Sequence, residues 1–226
     1  MPVFFHQVFA ILAKDLKTEL RTKERLSAMC FFALLVILIF NFAFKPGSAI
    51  MKSAAPGIFW ITVTFAGLMG LTRSFTLEQH NDCMMGLRLS PADPGAIFLG
   101  KTLGNLITMA VMEALVLPLI AILLNVTIWD HLLRLLLPLF LGTLGFAAVG
   151  TLFAAMSVNT RLQEALLPIL TLPVLIPGLL AAVESFRAIL SGAPVSEITP
   201  WLKLGGAFAV LFVTACLLLF EYVVEE

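Results

Sequence analysis

The sequence predicts an all-α membrane protein with six transmembrane helices, and three observations carry that expectation. Of 226 residues, 60% are hydrophobic and only 12% are charged, whereas a soluble domain carries about a quarter charged residues and under half apolar ones. The charges cluster in short segments between long apolar runs. Six of those runs, near 26–44, 55–76, 98–124, 132–156, 165–184 and 202–222, approach or exceed the roughly 20 residues a helix needs to cross the hydrocarbon layer. Lipid solvates the outer faces of such helices, so they associate by close packing and polar contacts rather than around a water-excluding core. Residues 1–226 therefore read as a single transmembrane domain. The net charge of +0 offers no electrostatic footprint for nucleic acid.

Residues 1–25 form a different kind of element ahead of the first span. Val8, Leu12, Leu16 and Leu20 recur every four residues, with Phe9 and Ile11 beside them, while Lys14, Lys17, Arg21 and Glu24 lie mostly on the other side. That is an amphipathic helix suited to the membrane surface, with basic residues available for lipid phosphates; a solvated cytoplasmic helix is the plainer alternative. No cleaved signal peptide is expected, because the first apolar run begins near Leu26, is too long, and lacks a small-x-small cleavage site.

The segment Thr76 to Pro94 is the most polar interior stretch. It runs through Glu78, Gln79, His80, Asn81 and Asp82 to Arg88, Ser90-Pro91 and Asp93-Pro94. Its apolar residues suit a short helix along the membrane that docks on a soluble partner, ended by the two X-Pro pairs. An ordinary solvated loop is the alternative.

Within the third span, Glu113 lies mid-way along an apolar run. An ionisable group at that depth costs several kcal/mol unless protonated or paired, so Glu113 is expected to face the bundle interior, a cavity or a partner helix. A functional role and a structural interhelical hydrogen bond both fit. The fourth span carries small residues four apart, Gly150 with Ala154 and Ala147 with Thr151, which permits close helix approach. In the fifth, Pro168, Pro173 and Pro177 precede Gly178. Each proline frees a backbone carbonyl, predicting a kinked or broken helix shielded by its neighbours.

Orientation follows from the basic residues. With the N-terminus inside, Lys14, Lys17, Arg21, Lys23, Arg25, Arg73, Arg88, Lys101 and Arg161 are cytoplasmic, against Lys45, Lys52, Arg134, Arg187 and Lys203 outside. Both termini are then expected in the cytoplasm.

Several motifs are chance matches. Gly95 to Thr102 satisfies the phosphate-loop pattern, with Gly100-Lys101-Thr102 at its end. Phosphate binding needs a preceding strand and a glycine-rich loop, whereas Ile97, Phe98 and Leu99 are bulky residues entering a span. Lys101 reads instead as a snorkelling residue at the cytoplasmic end of that span. Asn125-Val126-Thr127 is a glycosylation sequon of no consequence outside a eukaryotic secretory pathway. His6, His80 and His131 are too scattered to predict a metal site, and Cys30, Cys83 and Cys216 form no CxxC.

Taken in order, these segments resemble the CcmB family, the haem exporter protein B permease of cytochrome c maturation. The resemblance covers nearly the whole chain. It includes Lys14-Asp15-Leu16 to Arg21 and Glu24, then Ala55-Pro56-Gly57-Ile58, then Leu71 to Phe75 with Arg73 and with Glu78 beyond. It continues through Ile97 to Lys101, Glu113 with Leu117-Pro118, the run Leu141 to Thr151, and Leu166-Leu167-Pro168 with Pro173. The family's loop usually reads acidic-Gly-small where this chain has Asn81-Asp82-Cys83-Met84-Met85.

The resemblance implies an ABC-2-like transmembrane domain preceded by an interfacial helix, in the bacterial inner membrane. No enzymatic activity or directly bound cofactor is expected. ATP is expected on a separate subunit, CcmA, and haem is a possible substrate. CcmC and CcmD are the further implied partners, with the haem chaperone CcmE indirectly so and the permease a homodimer or pseudo-dimer. Glu78, Asp82 and Arg88 become candidates for contact with the ATPase, and Glu113 and Arg73 the polar candidates within or at the edge of the membrane. Two other classes compete: a secondary transporter driven by an ion gradient, and a scaffold that positions haem-handling subunits without transport.

Overall fold

Long runs of Leu, Ile, Val, Phe and Ala satisfy their backbone polar groups in lipid by forming helices. The computed structural model describes residues 2–80, 93–157 and 163–225, with side chains described at 3–74, 93–157 and 165–223. Among the described residues there are seven α-helices and no strand. They are α1 (Pro2–Thr22), α2 (Glu24–Ala43), α3 (Ala49–His80), α4 (Pro94–Leu123), α5 (Leu132–Ser157, entered by a 3-10 turn at Trp129–His131), α6 (Gln163–Leu190) and α7 (Val195–Glu225). Six of them, α2 to α7, are long and apolar enough to cross a membrane.

The expected spans are all present, but most of the helices run past them at one or both ends. Hydropathy marks the membrane-crossing part of a helix, not its ends. Thus α3 continues to His80 and carries Glu78 on its last turn rather than in a loop, and α4 begins at Pro94 rather than near Phe98. Asp93 caps α4, its side chain accepting from the backbone N–H of Gly95 at 2.8 Å, with Pro94 at the first helical position. Asp93-Pro94 therefore starts a span, where the sequence alone predicts the end of a surface helix.

Pro168, Pro173 and Pro177 of the fifth span all lie inside α6, which is one uninterrupted helix from Gln163 to Leu190. Of the two outcomes the prolines predict, a kink or a break, the break does not occur, because lipid leaves the remaining backbone groups no partners outside the helix.

Helix α3 is the centre of the bundle, packed against α2, α4, α5 and α6. Phe59 and Trp60 of α3 are buried, and Phe59 stacks on Phe186 of α6 with ring centroids 5.2 Å apart. Glycines on α5 let its neighbours in. A Cβ on Gly142 would come 2.3 Å from the Trp60 ring, and one on Gly145 would come 2.8 Å from Phe208 of α7. Helices α5, α6 and α7 pack mutually as a three-helix group, while α2 lies at the edge with Phe31, Leu35, Ile39 and Phe42 exposed to lipid.

Candidate functional site

Helix α1 does not simply rest on the membrane; it lies against the first half of α4. Contact is close because α4 presents Gly100 and Gly104 there. A Cβ on Gly100 would meet the Cβ of Ile11 at 2.9 Å and the Val8 carbonyl oxygen at 3.1 Å, and one on Gly104 would lie 3.6 Å from the Cβ of Asp15. The glycine and lysine of the phosphate-loop match thus have a packing role. Gly100 admits α1, and Lys101 is paired with it.

Lys101 departs most sharply from its sequence-based expectation. Its side chain is 2% exposed, and its Nζ lies 3.0 Å from Oδ2 of Asp15. A snorkelling lysine would extend its ammonium to water; this one is covered by α1 and meets a carboxylate. Lys14 approaches the other oxygen of Asp15 at 3.2 Å from the exposed side.

A second cluster lies one turn further along. The chain turns between α1 and α2 at Lys23, whose left-handed backbone (φ 55°) supplies no side-chain cap. Glu19 supplies the cap instead. One of its oxygens accepts the Leu26 backbone N–H at 2.8 Å, and the other lies 3.5 Å from Nε of Arg25. A carboxylate at a helix N-terminus is favoured by the helix dipole. Arg25, only 6% exposed, points into the bundle. Its Nη1 donates to Oδ1 of Asn105 at 2.8 Å, and its Nη2 donates to the Thr108 hydroxyl. Asn105 in turn donates from Nδ2 to the Thr151 hydroxyl of α5 at 2.8 Å. One continuous polar chain therefore links α1, α2, α4 and α5 at the α1 end of the bundle.

Glu113 lies twelve residues beyond Lys101, roughly 18 Å along α4. It is 4% exposed and accepts a hydrogen bond from the Thr143 hydroxyl of α5. Its environment is therefore interhelical. Arg73 is exposed on α3 near the α1 end of the bundle. It does not join the Arg25 chain among the described contacts. The side chain of Glu78 and the whole of Asp82 and Arg88 lie outside the described residues.

Sequence reasoning missed Asp15, Glu19, Arg25, Asn105, Thr108 and Thr151 as a cluster. Arg25 counted only as a cytoplasmic charge, although its position at the mouth of an apolar run asks for a partner. Among the described residues no group of three His, Cys, Asp or Glu is placed to hold a metal ion. An apolar recess of about 670 Å³ opens between α5, α6 and α7, lined by residues including Phe153, Met156, Phe212, Cys216 and Tyr222. It suits an apolar chain or ring face rather than a charged solute.

Comparison with known proteins bears on this arrangement directly. A family profile described as CcmB protein matches residues 6–222. The chain belongs to the CcmB family. Curated relatives include heme exporter protein B of Rhodobacter capsulatus, 31% identical over 178 residues, covering 79% of this chain and 81% of the relative. Heme exporter protein B of Pseudomonas aeruginosa is 29% identical over 192 residues, covering 85% of this chain and 86% of the relative. That of Haemophilus influenzae is 27% identical, covering 79% and 80%. The CcmB match begins within α1 and ends within α7, so the contacts of Val8, Ile11 and Asp15 with Gly100, Lys101 and Gly104 lie inside the matched region.

Proposed function

We propose that this multi-pass membrane protein is the transmembrane subunit of an ATP-driven complex that serves haem delivery in cytochrome c maturation. Membership of the CcmB family over residues 6–222 and relatives named heme exporter protein B support that reading. The geometry adds a way for the subunit to be driven. The segment between α3 and α4 carries Asp82 and Arg88, and Glu78 stands on the turn of α3 just before it. These residues are the contact with a separate ATP-binding subunit, CcmA. Movement there would reach α4 directly, and through the Lys101–Asp15 and Arg25–Asn105 contacts would carry α1, α2 and α5 with it.

On this reading the chain lies in the bacterial inner membrane with both termini in the cytoplasm. CcmC and CcmD share the complex, the haem chaperone CcmE is acted on indirectly, and haem is the substrate. ATP is bound by the partner and not by the Gly95–Thr102 segment, whose glycine and lysine are engaged with α1.

The test is co-purification with the ATP-binding subunit. Combined charge reversal, Glu78→Lys with Asp82→Lys and Arg88→Glu, is expected to lower assembly and ATPase stimulation about tenfold or more, the scale of like-charge contacts at an interface. Assembly and stimulation at the unsubstituted level would contradict the contact.

A further inference from the structure

We infer that Glu113 is a proton-binding site that holds the seam between α4 and α5 closed, and that opening this seam releases its proton. The polar contacts between the two helices form a ladder. Asn105 of α4 donates to the Thr151 hydroxyl of α5, and Glu113 accepts from the Thr143 hydroxyl. The two pairs are eight residues apart on both antiparallel helices, about 12 Å along the axis. Met109 and Ala147 stand half-way between them, both buried. A Cβ on Gly67 of α3 would come 2.8 Å from the tips of Met109 and Phe146 alike, so α3 covers the seam at that level. The seam therefore has two polar rungs in one register, and the deeper rung is an acid.

Nothing inside the membrane balances a charge on that acid. Residues 26–43, 53–72, 135–157, 165–183 and 204–220, the middles of the other five spans, contain no Asp, Glu, Lys, Arg or His. On α4 itself Glu113 is the only such residue after Lys101. The charges of the helices packed on α4 stand at their ends, with Glu24 on α2, Lys52 and Arg73 on α3, Arg134 on α5, and Lys203 and Glu221 on α7. Arg25 is engaged by Glu19, Asn105 and Thr108, and Lys101 by Asp15. Cys30 of α2 and Cys216 of α7 are thiols, which carry no charge at neutral pH. One neutral hydroxyl, itself 1% exposed on Thr143, does not offset the burial of a carboxylate, and the group takes up a proton instead.

The seam is also one that water enters at low cost. Polar rungs exchange their partners for water with little net loss, which an apolar contact cannot do. Once the seam is wetted, the carboxyl O–H bond breaks, the proton passes to water and a hydrated carboxylate remains. Closing the seam requires that proton back. Opening is therefore linked to pH whatever drives it, an ATP-binding subunit or otherwise.

The full chain is held in phosphatidylcholine nanodiscs, and the infrared difference between the parent and Glu113→Gln is recorded at neutral pH. The carbonyl stretch of a protonated carboxylic acid is expected in the parent and not in the variant. Loss of carboxylate bands in its place would overturn the inference. Thr143→Val is expected to keep the acid band and move it to higher frequency, and this shift identifies the band even where Glu113→Gln does not fold. The thermal midpoint against pH supplies a second readout. A closed chain that binds one proton more than the open chain is destabilised as pH rises above the usual carboxylate range, with an opening constant that grows up to about tenfold per pH unit. Relative to Glu113→Gln, the parent midpoint is expected to fall by about 3 to 5 °C per pH unit between about pH 5.5 and 7.5; parallel profiles would show that no proton is held. The seam itself is read with Ala147→Cys, in a chain whose Cys30, Cys83 and Cys216 are replaced by alanine. Its reaction with a water-soluble maleimide is expected to accelerate with pH more steeply in the presence of Glu113 than of Glu113→Gln. The same pH dependence in both would mean that Glu113 does not hold the seam.

Discussion

Arg25→Met is expected to lower the thermal midpoint of the detergent-solubilised chain by about 6 to 20 °C. The reason is what the substitution leaves behind. Arg25 is 6% exposed, and its guanidinium serves Asn105, Thr108 and Glu19 at once. Methionine fills the space but strands the Asn105 carbonyl oxygen and removes the cation from beside Glu19. Breaking a buried, hydrogen-bonded charge pair by deleting one member costs about 3 to 5 kcal/mol, and a chain of this size loses about 2 to 4 °C per kcal/mol. Arg25→Lys is expected to recover only part of the loss, because one ammonium cannot reproduce a planar fork that reaches two acceptors on α4. Fluorescence-detected size exclusion after heating reads both. An Arg25→Met midpoint within about 2 °C of the parent, under about 1 kcal/mol, would mean that the buried contacts contribute nothing.

The second large effect is a coupling across the α1–α4 contact. Lys101, whose side chain is 2% exposed, lies 3.0 Å from Asp15. Asp15→Asn and Lys101→Met are each expected to cost about 1 to 3 kcal/mol, the range for a hydrogen bond to a charged group. Replacing both, as Asp15→Leu with Lys101→Met, is expected to cost less than the sum of the two, since an apolar pair of similar volume avoids desolvating two charges. A double-mutant cycle on the same thermal assay measures the coupling. Strictly additive losses would contradict a direct interaction between the two side chains.

How far these features could be read from the sequence depends on their range along the chain. The six spans were legible because hydropathy is a local sum over about 20 residues, and the location of Glu113 was legible because a lone carboxylate in an apolar run is conspicuous. Its partner was not. Thr143 lies 30 residues away on another helix, and nothing in the sequence pairs a particular threonine with a particular acid. The same holds for Asp15 and Lys101 and for Arg25 and Asn105, the latter 80 residues apart.

Lys101 shows how a sound local rule reaches a wrong environment. A lysine at a span's end snorkels if water is beside it, but the helix supplying its neighbour is the first in the chain. The prolines of α6 predicted a kink or a break without deciding between them, and the helix is continuous because lipid offers its backbone groups no other partners. The small residues were read as packing positions, yet Gly100, one of the two glycines against which α1 docks, was hidden inside a motif dismissed on other grounds.

The clamp between α1 and α4 underlies the proposed coupling and the Asp15–Lys101 prediction, so its geometry is the point to test. A Cβ at position 104 lies 3.6 Å from that of residue 15, within the roughly 3.5 to 4.5 Å that a disulfide spans. Asp15→Cys and Gly104→Cys are introduced together into a chain whose Cys30, Cys83 and Cys216 are replaced by alanine, and native membranes are mildly oxidised. The structure predicts an intramolecular disulfide, detected by mass spectrometry as a linked peptide pair that reductant separates. Two cysteines that both remain open to maleimide after oxidation, in a protein that still elutes as folded, would show that α1 does not lie on α4.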